Sequence, residues 1–199
     1  MANNTLSSLL PILLASSTLF FFTTLSTAKT HDRFSKTLSP QKLGLNKQKL
    51  THLHFYLHDT LSGKNPTAIK VAEAKTTNTS STGFRTVVVM DDPLTEGPEP
   101  SSKLVGRAQG LYALASQNEI GLLLVFNYVF IKGEYNGSTL GILGRNAVFS
   151  TVSKVREFPI VGGTGIFRFA RGYAQARIHK VDPKTGDAVL EHSVYAFHY

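Results

Sequence analysis

The 199-residue chain carries 21 basic and 13 acidic residues, a formal charge of +8, and no cysteine. The length suits one ordinary domain, and a core of that size holds together without disulfides. The basic residues are scattered with no run of five, which argues against nucleic acid; the charge fits an acidic polysaccharide, an anionic surface, or solubility alone.

Residues 1–28 contain no Asp, Glu, Lys or Arg, and Leu9–Phe22 is mostly apolar. The apolar run is interrupted by Pro11 and is short for a bilayer span, and Ser26-Thr27-Ala28 offers small residues to a signal peptidase. The segment reads as a secretory signal cleaved near Ala28; an uncleaved anchor is the alternative. Residues 29–50 are polar and basic and predict a flexible arm. From residue 51 to 199 no gap resembles a domain linker.

HLHFYLHD alternates, with Leu53, Phe55 and Leu57 on one face and His52, His54, Tyr56 and His58 on the other, which predicts a strand. TLSGKNPT predicts a turn and KTTNTSSTG a polar loop. FRTVVVMDD reads as a strand ending in a turn at Asp92-Pro93. LVGRAQGLYALAS and EIGLLLVFNYVFI read as strands, the second because Val, Phe, Tyr and Ile dominate it. YNGSTLGILG follows a turn at Lys132-Gly133. Strands are predicted over 147–156 and 166–178, with Gly162, Gly163 and Gly165 forming a tight turn between them. VDPKTGDA is a turn, and VLEHSVYAFHY alternates to the C-terminus. Eight or nine short strands without a convincing helix predict an all-β sandwich or antiparallel barrel, and glycines inside strands favour the barrel. The glycine cluster is no phosphate loop, because a strand with a face of Ala and Gly follows it instead of a helix.

Asp59 shares the apolar face of its strand. A carboxyl there has its pKa raised by desolvation and can act as an acid; the plainer reading is a turn aspartate bonding nearby backbone. Asp91-Asp92-Pro93 reads as carboxylates receiving backbone amides at a strand end, with Asp92 as a pocket candidate. His52, His54 and His58 have a spacing that could seat zinc, but no carboxylate joins them, so solvent-side histidines and no metal are expected. Asn78-Thr79-Ser80 and Asn136-Gly137-Ser138 are glycosylation sequons on Asn78 and Asn136.

HFYLHDTLSGKNPTA, VVVMDDPLTEGPEPSSKLVGRAQGLY and FPIVGGTGIFRFARGYA resemble the three signature blocks of plant dirigent proteins, in order, over roughly residues 50–199. The resemblance implies an eight-stranded antiparallel β-barrel of the allene oxide cyclase-like/dirigent type, a homotrimer or dimer, with a pocket at one end and no cofactor. It also implies secretion to the apoplast. Such proteins do not oxidise; they steer the coupling of phenoxy radicals made by an external laccase or peroxidase, and some close a ring on a phenolic substrate through a quinone methide, as in pterocarpan formation. The resemblance assigns Asp59 as the pocket aspartate, Tyr112 as a pocket tyrosine and Arg156 as a pocket arginine able to stabilise a phenolate. The chain lacks the cysteine pair of the lignan-forming branch and reads Gly144-Arg145-Asn146 where that branch reads Gly-Ala-Asp. Asn146 cannot donate a proton as an acid, which points toward the pterocarpan-forming side and makes Arg145 and Asn146 rim candidates. Ser150-Thr151-Val152 resembles a short insertion at the rim. A wall protein that binds carbohydrate is an alternative from another class.

Overall fold

The computed structural model describes residues 34–149 and 154–199. The expected signal segment and the Ser150–Val152 insertion lie outside these residues. The chain divides into units Met1–Leu38 and Ser39–Tyr199, and the fold described below is that of the second.

Nine strands follow in order: β1 Lys49–Asp59, β2 Ala68–Ala72, β3 Val87–Thr95, β4 Leu104–Leu114, β5 Gly121–Phe130, β6 Thr139–Ala147, β7 Arg156–Thr164, β8 Arg171–Val181 and β9 Ala188–His198. From β3 to β9 each strand pairs antiparallel with the next, β9 pairs with β1, and β1 pairs with β3. The ring is therefore an eight-stranded antiparallel barrel. β2 stands outside it, a short extra strand on the β3 edge. Closure alone removes exposed sheet edges, which explains how so many apolar strands coexist without a covering helix.

The closing seam is brief: only Tyr56–Thr95 and Leu57–Leu94 pair across it. A buried side-chain latch reinforces it. Thr95 Oγ1 donates to Gly97 O at 2.7 Å, so it accepts from His58 Nε2, also at 2.7 Å.

Strand alternation fills the interior from inward parities, as expected from a period of two. One half of the barrel is solid, packed by Phe55, Phe126, Tyr128, Phe130, Phe158 and Phe167, all buried. Small residues on β8 make room for these rings: Ala174 and Ala176 are fully buried, and Gly172 has φ +147° with a Cβ position only 2.0 Å from Tyr195 O. Any side chain at 172 would collide with backbone.

Several local expectations change. β3 continues through Asp92-Pro93 to Thr95 instead of turning there. Asp91 N–H donates to Thr67 O, and Pro93 faces the same side, where the ladder passes from β2 to β1; a missing N–H costs no bond at that gap. Of the strand predicted over 147–156, Ala147 ends β6 and Arg156 begins β7, which runs through Gly162 and Gly163, while 150–153 lie outside the described residues. Those glycines lie within β7, with Gly162 paired to Gly141. The turn into β8 is a 3-10 segment, Gly165–Phe167, and Phe169 takes a left-handed φ of 61°, so Phe167 drops into the core out of strand parity.

Candidate active site

The other half of the barrel is hollow. A cavity of about 440 Å³ opens at the end where β1, β4, β6 and β8 finish and β3, β5, β7 and β9 begin. That volume lies in the usual range for a small-molecule site. Its mouth is apolar, with Leu61, Phe149, Ile178 and Val181 all substantially exposed. Asp187 ties two mouth loops together by accepting from Leu61 N at 2.8 Å and Ser62 Oγ at 2.6 Å.

Beneath it lies an inner chamber of about 50 Å³, whose polar lining is Asp59, Asp92, Tyr112, Asn146, Arg156 and His192. Asp59, Tyr112, Asn146 and Arg156 line both spaces. Below the chamber the aromatic core begins: Tyr128 Oη is 2.8 Å from His192 Nδ1, and Phe55 stacks on the His192 ring.

Burial among apolar walls, with Asp187 adding repulsion, pushes the Asp59 carboxyl up to about 6; the Tyr112 hydroxyl pulls it part of the way back. Asp92 is fully buried, and desolvation together with the neighbouring Asp59 pushes it up to about 8. The Thr67 hydroxyl donates to Asp92 Oδ1 at 2.6 Å. Burial holds the Tyr112 phenol far above its ordinary range, so it stays a neutral hydroxyl. Burial and the Arg156 charge push His192 down to about 3, so its ring is neutral. Burial lowers Arg156 as well, without neutralising a guanidinium. At neutral pH the site therefore presents one cation, a protonated Asp92, a neutral imidazole, and an Asp59 poised between its two forms.

Of the residues singled out from sequence, Asp59, Tyr112, Arg156, Asn146 and Asp92 converge here. Arg145 does not. Strand neighbours face opposite sides, so once Asn146 points inward Arg145 must point out, where it bonds Glu119. Asp92 also differs from its expected part: its carboxyl faces the chamber and the Thr67 hydroxyl instead of capping backbone amides, while Asp91 lies outside, holding Arg107 and Gln109. The three histidines of β1 take separate partners. His52 stacks on Tyr195, His54 meets Glu191, and His58 is buried at the seam instead of facing solvent. Among the described residues no group of His, Asp or Glu is placed to hold a metal. Asn78 and Asn136 are both exposed. His192 is the site residue that the sequence reading missed. Its parity matched Leu190, Val194 and Ala196 on the apolar face of β9, the same signal that marked Asp59.

A closed barrel with an apolar mouth and buried carboxyls beneath it has the architecture of a small-molecule pocket. Residues 50–197 match the family described as "Dirigent-like protein". Pterocarpan synthase 1 of Glycyrrhiza echinata is 53% identical over 83% of this chain and 87% of its own length. Dirigent protein 21 of Arabidopsis thaliana is 51% identical over 100% of both chains. A solved pterocarpan synthase dirigent protein, GePTS1, superposes with a TM-score of 0.72 at 52% identity, covering 84% of this chain and 99% of that one. The chain belongs to the dirigent family.

Proposed function

We propose that this protein binds a phenolic alcohol and closes a ring on it by loss of water through a quinone methide, as a carbon–oxygen lyase. The observation that carries this reading is Asp59: a carboxyl on an apolar wall, raised to about 6, facing the Tyr112 hydroxyl and the cavity. Such a group can hold a proton near neutrality and deliver it to a leaving hydroxyl. With the conjugated phenol bound as a phenolate against Arg156, the carbon–oxygen bond breaks with its electron pair going to oxygen, Asp59 supplies the proton that makes water, and the phenolate becomes the quinone methide carbonyl. The closing phenol then attacks the electrophilic carbon, its proton restores Asp59, and the conjugated oxygen returns to a phenolate. No oxidant is consumed. Arg156 is placed to stabilise the phenolate character of the quinone methide, and the barrel walls hold the attacking oxygen to one face. The named activity of relatives about half identical to this chain supports the same chemistry.

The test is incubation with a 2'-hydroxyisoflavanol and no oxidase. Conversion to a pterocarpan with one handedness is expected; an unchanged substrate overturns the reading. A second reading, stereoselective coupling of phenoxy radicals from a laccase or peroxidase, is favoured by the broad apolar mouth, which admits a guest formed elsewhere. Coniferyl alcohol with laccase tests it, and a product ratio unaltered by the protein counts against it.

The same proposal places the protein in the apoplast, as the apolar leader and the exposed sequons suggest, and as an oligomer of identical chains. Ile69, Val89, Leu111, Val125 and Leu143 form a continuous row across five strands on the outer wall. Ile69, Val89, Val125 and Leu143 in that row are more than 40% exposed, an apolar stripe that a second copy would cover. The surplus of basic charge suits retention by acidic wall polysaccharide.

A further inference from the structure

Six buried side-chain polar atoms among the described residues lack a hydrogen-bond partner within the protein: Asp59 Oδ1, Asp92 Oδ2, Asn146 Oδ1, Arg156 Nε and Nη2, and His192 Nε2. All of them belong to residues lining the one inner chamber. Four of these side chains are more than nine-tenths buried, with Asp92 at 0%, His192 at 2%, Asn146 at 6% and Arg156 at 7% relative exposure. Natural interiors rarely leave such groups unpaired, because each forfeits its bonds to water without replacement. Five polar residues concentrated at the floor of an otherwise apolar barrel therefore mark a place made to be occupied. About 50 Å³ is room for a water or for one oxygen substituent, and too little for a ring.

We propose that the inner chamber is an oxygen-binding subsite: it holds resident water in the free protein and takes the departing hydroxyl of the guest in the ring-closing reaction. This rests on the ring-closing reading above. Donors and acceptors are both present. Tyr128 Oη occupies His192 Nδ1, so Nε2 is the ring nitrogen that faces the chamber, and the Arg156 Nε and Nη2 groups are the chamber's donors. Asn146 Oδ1 and the unbonded Asp59 Oδ1 are acceptors for the protons of water, while Asp92, protonated and with its Oδ1 accepting from Thr67, offers its Oδ2 hydroxyl as a further donor. An aromatic guest in the wider cavity would thus be turned so that its benzylic oxygen points down, next to Asp59, and its ring faces the apolar walls. The water that forms is released into partners already in place, instead of across the face that the closing phenol attacks. His192 is a binding residue in this scheme, and a guest without that oxygen leaves the resident water in place and gains no bond from the chamber groups.

Two measurements test it. A high-resolution crystal structure of the unliganded protein should show at least one ordered water bonded to His192 Nε2 and Arg156; a dry chamber overturns the proposal. Calorimetric binding of an isoflavan phenol with and without its benzylic hydroxyl should be compared in the Asp59→Asn background, where turnover is slowed by about 10²–10⁴-fold. The hydroxylated guest should bind at least tenfold more tightly, and adding His192→Phe or Asn146→Leu should collapse that ratio toward one. A ratio that survives in both folded double variants overturns the subsite. A wet, discriminating chamber in a wild-type protein that never releases water would instead sink the ring-closing reading and its departing hydroxyl, while a dry chamber in an active enzyme sinks the subsite alone.

Discussion

Asp59 and His192 are both decided by one fact of strand geometry, that alternate residues share a face. Asp59 was legible because Leu53, Phe55 and Leu57 flag its parity. That burial raises its pKa was legible too; the smaller effects of Asp187 and Tyr112, which arrive from β9's approach and from β4, were not. Asp59→Asn should lower kcat by about 10²–10⁴-fold while preserving the fold, as thermal melting would verify. Activity should also follow the protonated acid: it should be full below pH 6 and fall as pH rises through the Asp59 value of about 6. Asp92, Asp187 and Tyr112 all interact with Asp59, so the profile reports the cluster, and a rate that rises through that interval would contradict an acid role.

At the scale of the strand, alternation also separates neighbours. Arg145 and Asn146 cannot both line the pocket, and Arg145→Ala should leave turnover within about twofold of wild type, because the lost pair with Glu119 is exposed. Sequence reading failed chiefly at Pro93, where the alternation runs on because the missing donor falls in a ladder gap, and at Gly165–Phe167, where a 3-10 turn breaks the period of two and shifts Phe167 into the core. Neither has a local signature strong enough to read without knowing which strands pair. Gly172 is the converse case, a glycine whose need is set wholly by the partner strand. Gly172→Ala should destabilise by about 3 kcal/mol or more, measured by denaturant midpoint, since both its φ of +147° and the 2.0 Å approach to Tyr195 O oppose a side chain.

The whole barrel balances a packed half against a polar hollow, and that balance has a pH signature. Asp92 rises from 3.8 unfolded to about 8 folded, so between those values the native state holds a proton that the unfolded chain releases. A raised carboxyl means stability that is greatest below about pH 4 as far as this group is concerned and that declines as pH climbs toward 8. Asp92→Asn, which resembles the protonated acid, should flatten that decline in melting curves taken across the interval; an unaltered slope would show that Asp92 is ionised in the folded protein. On the outer wall, Val125→Glu with Leu143→Glu should turn an oligomer into monomers in analytical ultracentrifugation, because these paired positions are two of the four well-exposed residues in the apolar row. Finally, Lys49 and His198 are cross-strand partners, at the end of β1 that lies opposite Asp59. Eleven residues of strand put roughly 35 Å between that pair and the mouth. The barrel domain is therefore polar in the sense of a cup with its handle on the base: anchoring it to a bead or a surface through its C-terminus should leave the opening turned outward and guest capture undiminished.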